Sequence, residues 1–219
     1  WSTSECQDNT RRNGGVLMIV HNLLNRNIRV TNARCYDLSD SLVASGYPVL
    51  TKVIPRESNE SDVKRAIKLA NTPAGTGHSN FLVGIRVSFD LTAPRYIWQE
   101  AQRYHWFDIV SSQSTMHKIT SMDLSPDMFT DDTPQNAYDA VVVEQMAYQQ
   151  DPSEENFRAL KAAVPEGLML TARISTNYQQ LRTIFTQRCH HKLPQWQEFC
   201  EWIRELPYGK QLITGEVDE

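Results

Sequence analysis

The chain has 219 residues, of which 40% are apolar and 22% are charged, and this composition is typical of a folded globular protein rather than a disordered one. Its formal net charge of −4 argues against a binding surface for nucleic-acid polymers, although a local group of arginines can still bind a small anion. The sequence predicts no membrane-spanning helix, and its four scattered cysteines favour free thiols and a cytoplasmic location over a disulfide framework.

The opening of the chain is polar, and we interpret residues 1–27 as an appended extension. The remaining residues, 28–219, are expected to form a single α+β domain of catalytic type. The elements predicted in the first part of this domain are a strand over residues 28–36, a short helix over 38–44, and a helix over 61–70 with Ser61 as its N-cap.

The middle of the chain contains a strand and a helix in close succession. Residues 71–77 form a loop by composition, and residues 85–91 alternate between apolar and polar, which predicts a half-buried strand. Pro94 suits the first turn of the following helix, which is expected to continue to Tyr104. The dense run of hydroxyl and amide residues over 111–115 then has two interpretations, a capped turn or a ligand-binding stretch.

The last part of the chain is predicted to contain four helices and a strand after a loop over residues 123–135. A further helix is expected to begin with Asp151 as its cap and Pro152 at its first position. The other predicted elements are a helix over 137–149, a strand over 168–174, a helix that Asn177 opens, and a final helix over 195–206.

Signatures of the common catalytic classes are missing from the sequence. No glycine-rich phosphate loop follows a strand, and no nucleophile elbow occurs. His190 and His191 lie near Cys189, but adjacent helical residues point about 100° apart and cannot easily share one ion. We therefore expect no metal site.

Several short motifs occur in an order that carries more information than any one of them. They are Gly77-His78-Ser79-Asn80, Tyr104-His105-Trp106, Ser111-Ser112-Gln113-Ser114, the pair Asn177 and Arg188, and Pro194-Gln195-Trp196-Gln197-Glu198. This order resembles the flavin-dependent thymidylate synthases. Sequences of that family carry Gly-His-Glu-Ser before a strand, then Arg-His-Arg and a Ser-rich stretch, then Asn and Arg eleven residues apart, and finally Ala-Gln-Trp-Glu. The resemblance covers residues 77–117 and 170–204.

The chain also departs from the family pattern at its arginines. In the register without gaps, the Arg-His-Arg signature retains its His as His105, whereas a shift by one residue retains Arg103 instead; both registers remain open. Ser114 keeps the Ser of a Ser-x-Arg element, but Met116 replaces its Arg. Thr183 stands where the family has Asn.

The resemblance implies an α+β fold like that of flavin-dependent thymidylate synthases, with a central mixed or antiparallel sheet and flanking helices, in a homotetramer. It implies methylation of dUMP to dTMP, or of a close pyrimidine nucleotide, with FAD as cofactor and with a reduced folate and NADPH as co-substrates. Two alternatives remain open: a divergent paralogue that binds a nucleotide without flavin chemistry, and a structural oligomer without a ligand.

The resemblance also assigns roles to individual residues. Those expected to bind the cofactor are His78, Asn80, Arg103, His105 and Asn177. Those expected to bind the substrate are Arg95, Gln113, Ser114 and Arg188, with Ser114 and Arg188 as the catalytic pair. Because methionine cannot donate to a phosphate, an arginine from elsewhere, Arg103 or Arg188, is expected within about 4–6 Å of the Ser114 hydroxyl.

Overall fold

Antiparallel strands form one sheet in this protein, whose computed structural model describes residues 18–73 and 75–216. The strands in this part of the chain are β1 (Met18–Ile19), β2 (Leu23–Leu24), β3 (Arg29–Tyr36), β4 (Arg86–Pro94), β5 (Asp108–Ser112) and β6 (Met169–Asn177). Their order is β1-β3-β4-β6-β5, with β2 also paired to β3. The long strands β4 and β6 therefore lie at the centre of the sheet.

The described helices lie before, between and after these strands. They are α1 (Leu38–Ala44), α2 (Glu60–Ala70), α3 (Arg95–Ala101), α4 (Thr115–Lys118), α5 (Gln135–Gln150), α6 (Glu154–Ala163), α7 (Tyr178–Arg188) and α8 (Pro194–Arg204). No helix among the described residues is both long enough and apolar enough to cross a membrane.

Alternation of apolar and polar residues fixes the orientation of β4. Val87, Phe89 and Leu91 are buried on one face of the strand. On the opposite face Asp90 lies directly across from Arg173 of β6, and the two form an ion pair with an N···O distance of 3.1 Å. The sheet therefore presents one face to the core and a polar face on the other side, as antiparallel sheets commonly do.

Most of the predicted elements are confirmed, but several boundaries differ from the predictions. Asn59, rather than Ser61, caps α2, because the Asn59 side chain accepts from the backbone N–H of Asp62 while the Asp62 carboxylate accepts from that of Asn59. Ser153, rather than Asp151, caps α6. Helix α3 ends at Ala101, so the predicted extension of this helix to Tyr104 is wrong.

The folded part of the chain begins before residue 28. Strands β1 and β2 both pair with β3, Val20 is buried, and the indole N–H of Trp202 donates to the carbonyl of His21. The predicted boundary at residue 28 thus falls inside the fold. Residues 1–17, the rest of the predicted extension, lie outside the described residues.

Two separate hydrophobic clusters stabilise the described chain. The larger one packs α7 and α8 against the apolar face of the sheet, with Phe89, Phe199 and Trp202 in mutual ring contact at 4.9–5.8 Å between centroids. The smaller one is built mainly from α5 and α6 around Leu160. Polar bonds connect the two, including one of 2.7 Å from the Arg95 guanidinium to the Val164 carbonyl. We call the region around the bond between Arg95 and Val164 the junction.

Strand β5 forms an exposed edge of the sheet. All five of its residues are exposed, with Val110 at 64% and Ile109 at 39% of their maximal accessible surface. Edge strands of soluble proteins are usually protected by lysine, proline or a covering element, and β5 contains neither of those residues. Its composition therefore suits pairing with another chain.

Candidate functional site

Three of the predicted site residues line one cavity of about 380 Å³, which we call the Arg188 cavity. Its walls come from the loop after α3 and from one side of α7. The lining residues are Arg103, Tyr104, His105, Gln180, Thr183, Gln187 and Arg188. The structure therefore brings Arg188 together with Arg103 and His105, which precede it in the sequence by more than eighty residues.

Arg188 is held in place by several contacts, and its side chain is 12% exposed. Its Nε donates to the Tyr104 hydroxyl at 2.7 Å, and its Nη1 donates to Glu100 Oε2 at 2.6 Å. The guanidinium also lies 5.0 Å from the centre of the Trp196 ring, within the range of a cation–π contact. These contacts fix the plane of the guanidinium at the cavity wall.

The loop that carries Arg103 and His105 is attached to α7. The backbone N–H of Trp106 donates to Oε1 of the buried Gln180 at 3.1 Å. Arg103 and His105 are exposed, and within the described residues Arg103 forms no ion pair. The loop therefore presents a positively charged side chain and an imidazole at the cavity entrance.

Asn177 lies at the start of α7, where its side chain caps the helix. Its Oδ1 accepts from the backbone N–H of Gln180 at 2.9 Å, and the residue is buried. This cap connects the end of β6 to the helix that carries Arg188. The predicted opening of a helix by Asn177 is confirmed.

We expect Asn177→Ala to lower the free energy of unfolding by about 1 kcal/mol, the usual effect of losing an N-cap side chain. Asn177→Asp keeps an oxygen acceptor and should remain close to wild type. Urea denaturation of the three proteins measures this. Equal stability of the alanine variant and wild type would show that the cap contributes nothing.

A second cavity of about 230 Å³ lies at the junction, and we call it the junction cavity. Its lining residues are Arg95, Trp98, Gln99, Gln102, Ile109, Ser112, Gln113, Leu170, Thr171 and Ala172. The predicted substrate residues Arg95 and Gln113 therefore lie together. Gln113 exchanges two bonds with the backbone of Thr171, at 2.8 and 2.9 Å, so its amide oxygen is already used while its amide N–H groups face no partner among the described residues.

The run of hydroxyl residues contains the predicted helix cap, while its role as a ligand-binding stretch stays a prediction. Ser111 and Ser112 belong to β5, while Ser114 caps the short helix α4 by accepting from the backbone N–H of Met116 at 3.2 Å. The Ser114 hydroxyl proton is still available to a ligand. Met116 is more than half exposed, so it provides no polar contact and little core packing.

Lys161 supplies a positive charge beside this run. Its Nζ lies 2.5 Å from the Thr115 hydroxyl. Partial burial, and then the positive charge of Arg95, lower the pKa of Lys161, and no carboxylate in the described part of the chain forms an ion pair with it. Arg95 itself forms an ion pair with Glu166 at 3.6 Å, so the unbalanced charge here is that of Lys161. An unpaired cation next to hydroxyl groups favours the binding of an anion.

The arginines expected near Ser114 lie elsewhere. Arg103 and Arg188 line the Arg188 cavity, which does not include Ser114, whereas Lys161 bonds to Thr115, the residue after Ser114. Lys161 was missed in the sequence because it lies on an ordinary helical segment without a motif. No local signal distinguishes it from a surface lysine.

His78 and Asn80 lie on a third region, the loop over residues 75–84. Gly77 has a φ of +75°, a left-handed conformation that favours glycine, and the loop then forms a short turn anchored by the buried Leu82. Both His78 and Asn80 are exposed, and neither lines the two cavities. In the single chain they are therefore separate from the other predicted cofactor residues.

Solved structures show which known fold this architecture matches. ThyX, the flavin-dependent thymidylate synthase from Helicobacter pylori, in complex with FAD and dUMP, superposes with a TM-score of 0.67 at 17% identity, over 86% of this chain and 99% of that chain. The chain has the fold of the flavin-dependent thymidylate synthases. The predicted fold class is thus confirmed, with a sheet that is antiparallel rather than mixed.

A second structure of the Helicobacter pylori enzyme with FAD and dUMP gives the same TM-score of 0.67 and identity of 17%, over 87% of this chain and 99% of that chain. The UMP/dUMP methylase PolB from Streptomyces cacaoi, bound with 5-Br dUMP, is also similar, with a TM-score of 0.60 and 14% identity over 86% and 95% of the two chains. No protein-family model matches the sequence, and a search of curated proteins finds no match.

Proposed function

We propose that this protein methylates a pyrimidine nucleotide, converting dUMP to dTMP or acting on a close variant of dUMP. The observation that carries the proposal is the position of Lys161, near Arg95 and bonded to Thr115 beside Ser114, in a fold of the thymidylate synthase type. A nucleotide phosphate is the anion that fits such a group. In this proposal Lys161 and Arg95 take the place of the arginine that the family carries at the position of Met116.

The polar groups that would bind the base are also in place. The free amide N–H groups of Gln113 can donate to a pyrimidine carbonyl, and so can the guanidinium of Arg188. We propose Ser114 and Arg188 as the residues closest to the chemistry. Because they lie at different cavities of one chain, a complete site requires residues from two subunits.

FAD is the cofactor we propose, and it would supply the hydride that completes the methyl group. The residues that would hold it are Arg103 and His105 at the Arg188 cavity, with His78 and Asn80 from a second subunit and Asn177 as support for α7. The unpaired Arg103 fits a pyrophosphate. A cavity of about 380 Å³ is near the lower end of ligand-site volumes, which suits one ring system and leaves the rest of the dinucleotide to another subunit.

Flavin and nucleotide binding test the proposal together. We expect the purified protein to show a flavin absorbance spectrum or to quench FAD fluorescence on titration, with weaker affinity than a site that retains both signature arginines, and to bind dUMP by calorimetry. A reduced folate and NADPH, the proposed co-substrates, should then support the formation of dTMP.

The alternatives give different results in the same assays. Binding of dUMP without any flavin would favour a divergent paralogue that does no redox chemistry. Failure to bind either ligand would contradict the proposed function and leave a structural oligomer.

We further propose that the protein is a cytoplasmic homotetramer, with the exposed strand β5 at a subunit contact. Light scattering should give a mass near four times the chain mass of 25.1 kDa. Val110→Lys places a charge on the exposed edge and should shift the mass downward. A wild-type protein that is monodisperse at the mass of one chain would contradict the assembly.

A further inference from the structure

The polar face of the sheet carries a row of side chains outside the two cavities. Arg34 of β3 lies directly opposite Ser88 of β4, and Ser88 lies directly opposite Ser175 of β6. Directly opposite residues of antiparallel strands point to the same face, with Cβ atoms about 4.5–5.5 Å apart. The three side chains therefore lie side by side, and none of them lines the Arg188 cavity or the junction cavity. We call this set, together with Arg86, the sheet-face row.

Arg86 brings a second guanidinium to the sheet-face row. It lies two residues before Ser88 on β4 and therefore on the same face, and its Nη2 donates to the Ser175 hydroxyl oxygen at 3.4 Å. Arg34 is diagonal to Arg86 across the β3–β4 pair. Diagonal neighbours are about 7–8 Å apart, which is within reach of long side chains. Both guanidinium groups can therefore contact one ligand above Ser88.

The charges of these two arginines are not balanced by nearby carboxylates. Arg34 and Arg86 are both exposed, and neither forms an ion pair within residues 18–73 and 75–216. The acidic residue on the same face of β4 is Asp90, which accepts from Arg173 at 3.1 Å and from Asn32 at 3.2 Å. The Asp90 carboxylate is thus already engaged by other groups.

One further carboxylate lies at the far end of the row. Asp108 of the edge strand β5 is directly opposite Ser175, so three strand spacings separate it from Arg34. At 4.7–4.9 Å per spacing the backbone separation is about 14 Å, beyond the Debye length of about 8 Å at physiological salt. Two positive charges and one negative charge leave the sheet-face row with net positive charge.

We propose that the sheet-face row is a binding site for a phosphate group, either the free ion or the monoester of a small molecule. Arg34 and Arg86 supply the charge, and Ser88 and Ser175 supply hydroxyl donors. The Ser175 oxygen accepts from Arg86, so its proton is free to donate. Two guanidinium groups and two hydroxyls offer more donors than the roughly four acceptor positions of a carboxylate. A phosphomonoester, with three terminal oxygens and a charge of about −2, suits them better.

NMR titration of the wild-type protein measures binding at this row. The probes are inorganic phosphate, glycerol 3-phosphate and acetate at constant ionic strength, and the signals followed are the backbone amides of Ser88 and Ser175. Because neither residue lines a cavity, these amides distinguish the row from the anion site proposed at the junction. We expect phosphate to shift both amides and acetate to bind about tenfold more weakly or less, since its charge is smaller.

Variants of the two arginines identify the ligands. Arg34→Gln and Arg86→Gln should each weaken phosphate by about tenfold or more, because each removes charge-assisted hydrogen bonds. Arg34→Lys keeps the charge but not the planar fork and should lie between Arg34→Gln and wild type. The control is Lys68→Gln, which removes an exposed charge from α2, a helix packed in the larger cluster on the apolar face. It should leave the phosphate affinity within about twofold of wild type.

Thermal unfolding without a ligand reports whether each variant is folded. Arg34 forms no side-chain bond in the described part of the chain, so its replacement removes no structural contact. Equal phosphate affinity in wild type and Arg34→Gln would overturn the site, as would unmoved Ser88 and Ser175 amides or acetate binding as tight as that of phosphate. Binding of glycerol 3-phosphate would assign the row to phosphorylated small molecules, and binding of phosphate alone would assign it to the free ion; both support the site. None of these results depends on dUMP, so the proposed function is tested separately.

Discussion

Replacing Lys161 with methionine is expected to weaken the binding of dUMP by about tenfold to a hundredfold, because a charge-assisted hydrogen bond to a phosphate contributes roughly 1.5–3 kcal/mol. The methionine keeps the length and the apolar stem of the lysine, so the packing of α6 should change little. Calorimetric titration of both proteins with dUMP measures the effect. Binding of 2′-deoxyuridine, which has no phosphate, should be unaffected.

Two further variants make this prediction specific. Lys161→Arg keeps the charge and should bind dUMP within a few-fold of wild type. Lys52→Met removes an exposed lysine from the segment between α1 and α2 and should leave binding unchanged, which controls for the net charge of the protein. Equal weakening of dUMP and 2′-deoxyuridine by Lys161→Met would indicate a distorted fold rather than a lost phosphate contact.

The largest loss of stability is expected from Asp62→Ala. The Asp62 side chain is fully buried, and it forms ion pairs with Arg56 and Arg65 as well as accepting from the backbone N–H of Asn59. Its removal leaves two guanidinium groups without their partner. Breaking a buried ion pair costs about 3–5 kcal/mol, and because both arginines are partly exposed we expect a loss near the lower limit, about 3 kcal/mol in urea unfolding.

The contribution of Asp62 should also depend on pH. Hydrogen bonds from Arg56 hold the pKa of this carboxyl well below its usual range. Since the unfolded chain has an ordinary aspartate pKa of about 3.9, the stabilisation is fully present above that pH and is lost as the pH falls toward the lower folded value. Wild type and Asp62→Ala should therefore approach each other in stability below about pH 4.

Asp40→Ala is the matched control, because Asp40 is an exposed aspartate on the neighbouring helix α1. It should change the unfolding free energy by less than about 0.5 kcal/mol, as is usual for surface substitutions. If Asp62→Ala were no less stable than Asp40→Ala, the ion pairs of Asp62 would be of no importance to the fold.

The elements that could be predicted from the sequence are those with one buried face. Alternation in β4 and β6 is visible because Val87 and Ile174 face the core while Asp90 and Arg173 do not. Strand β5 shows no such pattern, because all of its residues are exposed on the edge of the sheet. Because neither face of β5 is buried, its sequence does not alternate between apolar and polar residues. No local pattern therefore indicates that β5 pairs with β6.

The candidate site was partly predictable for a similar reason. The spacing between Asn177 and Arg188 is local to one helix, and the structure places Arg188 at a cavity with Arg103 and His105. Glu100 and Lys161 were not predicted as site residues. Their bonding partners, Arg188 and Thr115, lie 88 and 46 residues away in the chain. Contacts of that range depend on tertiary packing, which a single sequence does not display.

The separation of the two hydrophobic clusters has a consequence for motion. Helices α5 and α6 pack mainly on each other, and the junction to the larger cluster relies on a few polar bonds such as the one from Arg95 to Val164. A unit of this kind can open at a lower free energy than the main core. Because an anion held by both Arg95 and Lys161 would bind to the closed arrangement, ligand binding and closure of the two units would be thermodynamically linked.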